Sequence, residues 1–100
     1  MVKLVALYKK PKDVDAFERH YKEVHAPLAR KIPGLQRLGV SRFFGAPGGE
    51  PRYHMAAVLH FADKDAMFAG LNSPEGKAAA KDLMGFAGDI VHMMFATEDA

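Results

Sequence analysis

Tyr53-His54-Met55-Ala56-Ala57-Val58-Leu59-His60-Phe61 is the stretch whose reading decides the fold. Its length and its near-continuous apolar character describe a β-strand buried on both faces. Two further runs share that character, Val2-Lys3-Leu4-Val5-Ala6-Leu7-Tyr8 and Ile90-Val91-His92-Met93-Met94-Phe95-Ala96. A weakly alternating stretch over 35–44 supplies a fourth strand. The glycine- and proline-rich segment Gly45–Pro51 joins it to 53–61 as a turn or hairpin loop.

Between these strands the chain reads as helix. Asp13 suits an N-cap, and Asp15 in the first turn complements the helix dipole. Val14, Phe17, Tyr21, Val24 and Leu28 then recur at three- and four-residue spacing, the period of one helical face. Pro27 interrupts that face, a further turn runs to about Ile32, and Pro33-Gly34 ends it. Asp63 caps a short helix through Leu71. Ser73 at N-cap, Pro74 at N1 and Glu75 at N2 open another, which stops near Gly85–Gly88.

The resulting order, βαββαβ, predicts an α+β protein: a ferredoxin-like sandwich on a four-stranded antiparallel sheet. Helices on one side of such a sheet leave strands that alternate apolar and polar. The strands at 2–8, 53–61 and 90–96 do not alternate, so the face away from the helices also needs a cover. A second sheet from a twin subunit is the simplest one. Size argues the same way. One hundred residues make a single domain, 49% of them are apolar, and there is no cysteine to form a disulfide or a thiolate metal site. A chain this short buries only roughly 60–65% of its unfolded surface, and a homodimer is the expected form. No internal repeat, low-complexity tract or interdomain linker divides residues 1–100.

Composition removes several functions. The net charge is +2, and the basic run Lys9-Lys10-Pro11-Lys12 sits at a strand-to-helix junction, not along one face. That pattern speaks against a nucleic-acid partner. The apolar start is too short for a signal-peptide core or for the ~20 residues of a membrane span. A cytoplasmic chain with no membrane partner is expected.

Ser73 is better used as a helix cap, Ser41 lies within a strand and Thr97 near the tail, which leaves no hydroxyl nucleophile for a triad. Gly45, Gly48 and Gly49 lie between strands, whereas a phosphate loop leads into a helix. No metal site is expected. His20 and His25, five apart, diverge by about 140° on an α-helix. His54 and His60, on one strand face, stand roughly 20 Å apart. The twelve carboxylates fall at caps, loops, helix surfaces or the tail, with no acid/base pair among them.

Imidazoles and phenols remain. His25 lies one turn from Tyr21, at the edge of the apolar helix face and just ahead of Pro27. It suits either a general base near neutral pH or a hydrogen bond that pins the helix. His54, His60 and His92 sit within apolar strands, where structural or interface roles are usual. Met84, Met93, Met94 and Phe86 read as core or interface packing.

The segment Phe17…Tyr21…Val24-His25-Ala26-Pro27-Leu28…Pro33-Gly34-Leu35, with Phe61…Asn72-Ser73-Pro74-Glu75, resembles the EthD family of the dimeric α/β-barrel superfamily. The resemblance covers nearly the whole chain. It implies a ferredoxin-like protomer whose sheet packs on a partner's sheet. The family is named after a member associated with ethyl tert-butyl ether degradation. Superfamily relatives include muconolactone-type isomerases and cofactor-free monooxygenases of small aromatic compounds, and others bind haem through a helix histidine. His25 matches the family's histidine before Ala-Pro-Leu, and no cofactor-binding signature carries over.

The expected activity is therefore proton transfer by His25 on a small hydrophobic, aromatic or lactone-like metabolite, of isomerase or monooxygenase type and without a cofactor. Tyr21 would stand beside His25, with Tyr8 or a strand histidine such as His60 as a second polar contact. The alternatives are a non-catalytic homodimer that binds an apolar ligand, and a haem-binding dimer.

Overall fold

A computed structural model describes residues 1–99. The elements run β1 (Val2–Tyr8), α1 (Val14–His20), a π-helical turn (Tyr21–His25), α2 (Ala26–Ala29), β2 (Arg37–Arg42), β3 (Met55–Phe61), α3 (Lys64–Leu71), α4 (Pro74–Ala87) and β4 (Val91–Thr97). The starts of α1, α3 and α4 follow from their caps. Asp13 accepts from the Ala16 N–H at 3.0 Å, Asp63 from the Ala66 N–H at 2.8 Å, and Ser73 from the Gly76 N–H at 3.0 Å. The first helical run ends earlier than expected, at Ala29 with Arg30 as C-cap, and single turns continue through Ile32 to Gly34 at φ +82°.

All strand pairs are antiparallel, in the order β2-β3-β1-β4. This is the ferredoxin-like arrangement. The 35–44 and 53–61 segments pair over slightly shorter spans than the sequence indicates, because their ends pass into single bonds such as Gln36 N–H to His60 O at 2.9 Å.

Strand parity then sorts the side chains. Val2, Leu4, Ala6 and Tyr8 of β1 and Met55, Ala57, Leu59 and Phe61 of β3 face the helices and are buried. Lys3, Val5 and Leu7, with Val58 and His60, point to the other side and are only half-buried. Met94, opposite Val5 in the ladder, is exposed there as well. One chain therefore covers one face of a sheet whose sequence is apolar on both. Among the described residues, no helix is long and apolar enough to cross a membrane.

Glu18 ties α1 to the sheet. Its carboxylate accepts from Arg42 Nε at 2.8 Å and from His54 Nε2 at 2.8 Å. The Arg42 guanidinium holds the Glu18 carboxyl below the usual carboxylate range. His54 thus departs from the strand face it was expected to share with His60. It precedes β3, turns toward Glu18 and the Phe17 ring, and serves as an anchor for the helix.

α3 and α4 meet through glycine. A Cβ on Gly76 would run into the backbone carbonyl oxygens of Gly70 and Leu71. Gly76→Ala is expected to destabilise the fold by about 1–3 kcal/mol, the usual cost of overpacking, seen as a lower Tm. Gly85→Ala is the control: nothing lies within 4 Å of its added methyl, and alanine favours an exposed helix position, so its Tm should hold or rise.

Candidate active site

Pro27 has no N–H to give to the helical ladder. Just ahead of it the ladder changes register: the Ala26 N–H bonds to the Tyr21 carbonyl, five residues back. In such a turn, residues five apart come onto one face. Single π-turns inside α-helices recur at functional sites. Here the consequence is specific. His20 and His25, which diverge on an α-helix, point the same way and meet the same carboxylate. His20 Nε2 lies 2.9 Å from Asp82 Oδ1 and 3.1 Å from Oδ2, while His25 Nδ1 lies 3.0 Å from Oδ2. Phe86, one turn beyond Asp82 on α4, packs against both imidazoles, with ring centroids 4.4 Å from His20 and 5.2 Å from His25.

This corrects the expectation from sequence that the two histidines diverge, and it places a carboxylate expected on a helix surface between them. Asp82 was read as a helix-surface acid, yet its side chain is only 17% exposed. The available signal was its place on α4, four residues before Phe86 and so on the same helix face. What could not be read was that this face meets the π-turn.

The hydrogen bond fixes the state of His25. An ionised carboxylate only accepts, so the nitrogen facing it carries the proton. Nδ1–H therefore donates to Asp82, and Nε2 is left with a lone pair. Burial pushes the imidazole below its ordinary value of 6.5, partly opposed by the bond to Asp82. His25 is thus an imidazole oriented by Asp82, with its proton affinity lowered by burial.

His25 lines a cavity of about 100 Å³ between the sheet and the helices. The cavity lies where the core divides into two clusters, one around Tyr8, Phe17 and Met55, the other around Leu4, Phe61 and Met67. Small side chains leave the room: Ala6 and Ala57 face each other across β1 and β3, opposite Gly76, Ala79 and Ala80 on α4. Met84 and Met93, both well exposed, stand at the rim.

Tyr8 and Tyr21 also line the cavity. Burial raises both phenols, Tyr21 to about 12 and Tyr8 further, so both remain hydroxyl donors at neutral pH. Among the described residues neither hydroxyl is engaged in a side-chain hydrogen bond, and no buried polar atom is left stranded, so both border open space. The ring centroids of Tyr21 and His25 are 5.6 Å apart, and those of Tyr8 and Tyr21 6.0 Å. The structure brings together three of the four sequence-predicted residues.

His60 is not among them. Its ladder partners Lys3 and Arg37 place it on the face away from the helices, with the sheet between it and the cavity. Among the described residues, no group of three or more histidine, aspartate or glutamate side chains is arranged to hold a metal ion. The His20–Asp82–His25 cluster is a hydrogen-bonded chain, not a convergent set of lone pairs.

Residues 9–90 match the model of the EthD domain. The chain belongs to the EthD family. A solved EthD-family protein from Bacillus halodurans is 42% identical, with 99% of each chain covered and a TM-score of 0.96. An uncharacterised 11.0 kDa protein encoded in the thcB-thcC intergenic region of Rhodococcus erythropolis is 33% identical over 99 residues, covering 99% of this chain and 96% of that one. At 19% identity the fold alone is shared with SnoaB, a cofactor-independent oxygenase from Streptomyces nogalater, at a TM-score of 0.70 over 99% of this chain and 93% of that one. Several solved ferredoxin-like structures at 18–22% identity and TM-scores of 0.66–0.70 are described as dimeric.

The lowered proton affinity of His25 gives this EthD protein a pH signature. The unfolded chain takes up a proton as pH falls through about 6.5, whereas the folded imidazole resists until lower pH. Stability contributed by this group is therefore present above that value and lost on acidification. Denaturant melts from pH 8 to pH 5 should show a steeper loss of stability in the wild type than in His25→Gln.

Proposed function

We propose that this EthD protein is a small-molecule enzyme in which His25 Nε2 removes a proton from a carbon or oxygen acid held in the cavity. The observation that carries the reading is a buried imidazole, bonded through Nδ1 to Asp82, that lines an apolar cavity together with two phenols free of side-chain hydrogen bonds. Tyr8 and Tyr21 would donate to the oxygen on which charge develops. Donors already aimed at that charge in a water-poor site are worth more than in water. A base held within reach typically contributes 10²–10⁴-fold.

The size of the site favours a single small ring. A cavity of about 150 Å³ accommodates benzene, and this one is about 100 Å³ with a rim of two flexible methionines. A small aromatic or lactone-like compound with one hydrogen-bonding oxygen suits it; a tetrapyrrole such as haem does not. Deprotonation to an electron-rich anion serves two outcomes. Returning the proton to another atom completes an isomerisation, and reaction of the anion with dioxygen begins an oxygenation. SnoaB, which shares the fold, is a cofactor-independent oxygenase. The working form is a homodimer, supported by the half-covered apolar face of Val5, Leu7, Val58 and Met94 and by the dimeric solved structures of this fold.

Two measurements check this reading. Solvent-deuterium exchange into a panel of aryl ketones and unsaturated lactones, followed by proton NMR, should be accelerated by the wild type. His25→Ala should lose about 10²-fold or more of that acceleration with its fold retained. Binding without acceleration would leave an apolar-ligand carrier, and unchanged exchange in His25→Ala would remove His25 from the chemistry. Separately, Val58→Glu in the middle of the open face should turn a dimer into a monomer by analytical ultracentrifugation.

A further inference from the structure

Asp82 serves two imidazoles, and only one of them reaches the cavity. His20 lies outside it, 33% exposed in its side chain, yet it straddles the carboxylate and contacts both oxygens. We infer that His20 is a positioning residue for the site: by sharing the Asp82 carboxylate it holds the plane that fixes the tautomer of His25, and it draws off enough negative charge to keep His25 a free base.

The argument starts from the needs of a mostly buried carboxylate. Asp82 has little water to satisfy it, so the number and direction of its donors decide where its charge goes. Bound to His25 alone, it would lend its full charge to one imidazole and favour the imidazolium. A histidine protonated at rest cannot remove a proton. With His20 Nε2–H on Oδ1 and part of Oδ2, the carboxylate is shared, and its orientation toward His25 Nδ1 is set from the opposite side. Phe86 lies under both rings and limits their rotation.

The other groups around His25 do not supply this effect. Tyr21 from the same helix and Tyr8 from β1 stay neutral, and Arg30, Arg42 and Glu18 act on Tyr21. Burial and His20 lower the proton affinity of His25, and Asp82 raises it. The inference rests on His25 being the proton acceptor, but its test does not depend on turnover.

The experiment is a ¹⁵N-histidine NMR titration of the full chain. In the wild type near neutral pH, His25 should be protonated at Nδ1 only, and His20 should carry a proton at Nε2. His20→Ala should raise the titration midpoint of His25, and His20→Gln, which keeps an amide donor, should return it toward the wild type. Asp82→Asn should lower the midpoint and admit the Nε2–H tautomer. A His25 midpoint and tautomer unchanged in folded His20→Ala would overturn the inference. So would a wild-type His20 unprotonated at Nε2, a readout that needs no variant to fold. A purely structural role would lower the Tm of His20→Ala without moving the His25 midpoint. Failure of the proton-transfer reading appears elsewhere, as shifts of the expected sign in a protein that exchanges no substrate proton.

Discussion

The missing N–H of Pro27 is a local defect on which the architecture of the site depends. An α-helix continued through that position would crowd the Glu23 carbonyl against the proline ring. The chain instead inserts a five-residue turn, and Ala26 bonds back to Tyr21. That one-residue change in register rotates His25 onto the side of His20. Two histidines that an α-helix would separate then converge on Asp82, and α4 is held to the first helical run by hydrogen bonds and by Phe86. The proline need not touch a ligand to matter. It acts through the direction in which an imidazole points.

The second constraint is volume. Alanine and glycine at facing positions of β1, β3 and α4 keep the two halves of the core from closing on each other. Larger residues there would merge the clusters, bring the cohesion of a single core and remove the cavity. Close approach of helices and a gap beside the sheet come from the same small residues, since Gly76 admits the end of α3 while contributing no bulk to the cavity wall. Around the gap, polarity is sparse: two phenols and one imidazole nitrogen. In a setting of low dielectric each counts for more than it would in water.

The open face of the sheet completes the picture. Val5, Leu7 and Val58 are apolar, half-covered and central, while Lys3, His60 and Arg37 gather near one end of the same face. The pattern is that of an interface with an apolar middle and a polar margin. It also accounts for His60, whose partners are charged neighbours on that face and not the contents of the cavity.

Much of this was legible in the order of residues. Strand and helix identities followed from near-neighbour periodicity, and the caps Asp13, Asp63 and Ser73 work as read, because a cap acts over three residues. The near-continuous apolar run of β3 pointed correctly to a sheet needing cover on both sides. His25 and both tyrosines stand out in the sequence because the chain has few other groups able to move a proton, and the structure places all three around one cavity. His60 was misassigned because strand parity decides a face only once the side covered by helices is known. Asp82 was missed because it lies 57 residues from His25, and because helical spacing assumes a constant 100° step that the π-turn breaks. The sequence alone therefore determined the elements, their order and the residue types capable of chemistry, all set by interactions within a turn or two of chain. Only the tertiary structure decided which of those residues share a site, because that depends on helix register, sheet side and the approach of segments distant along the chain.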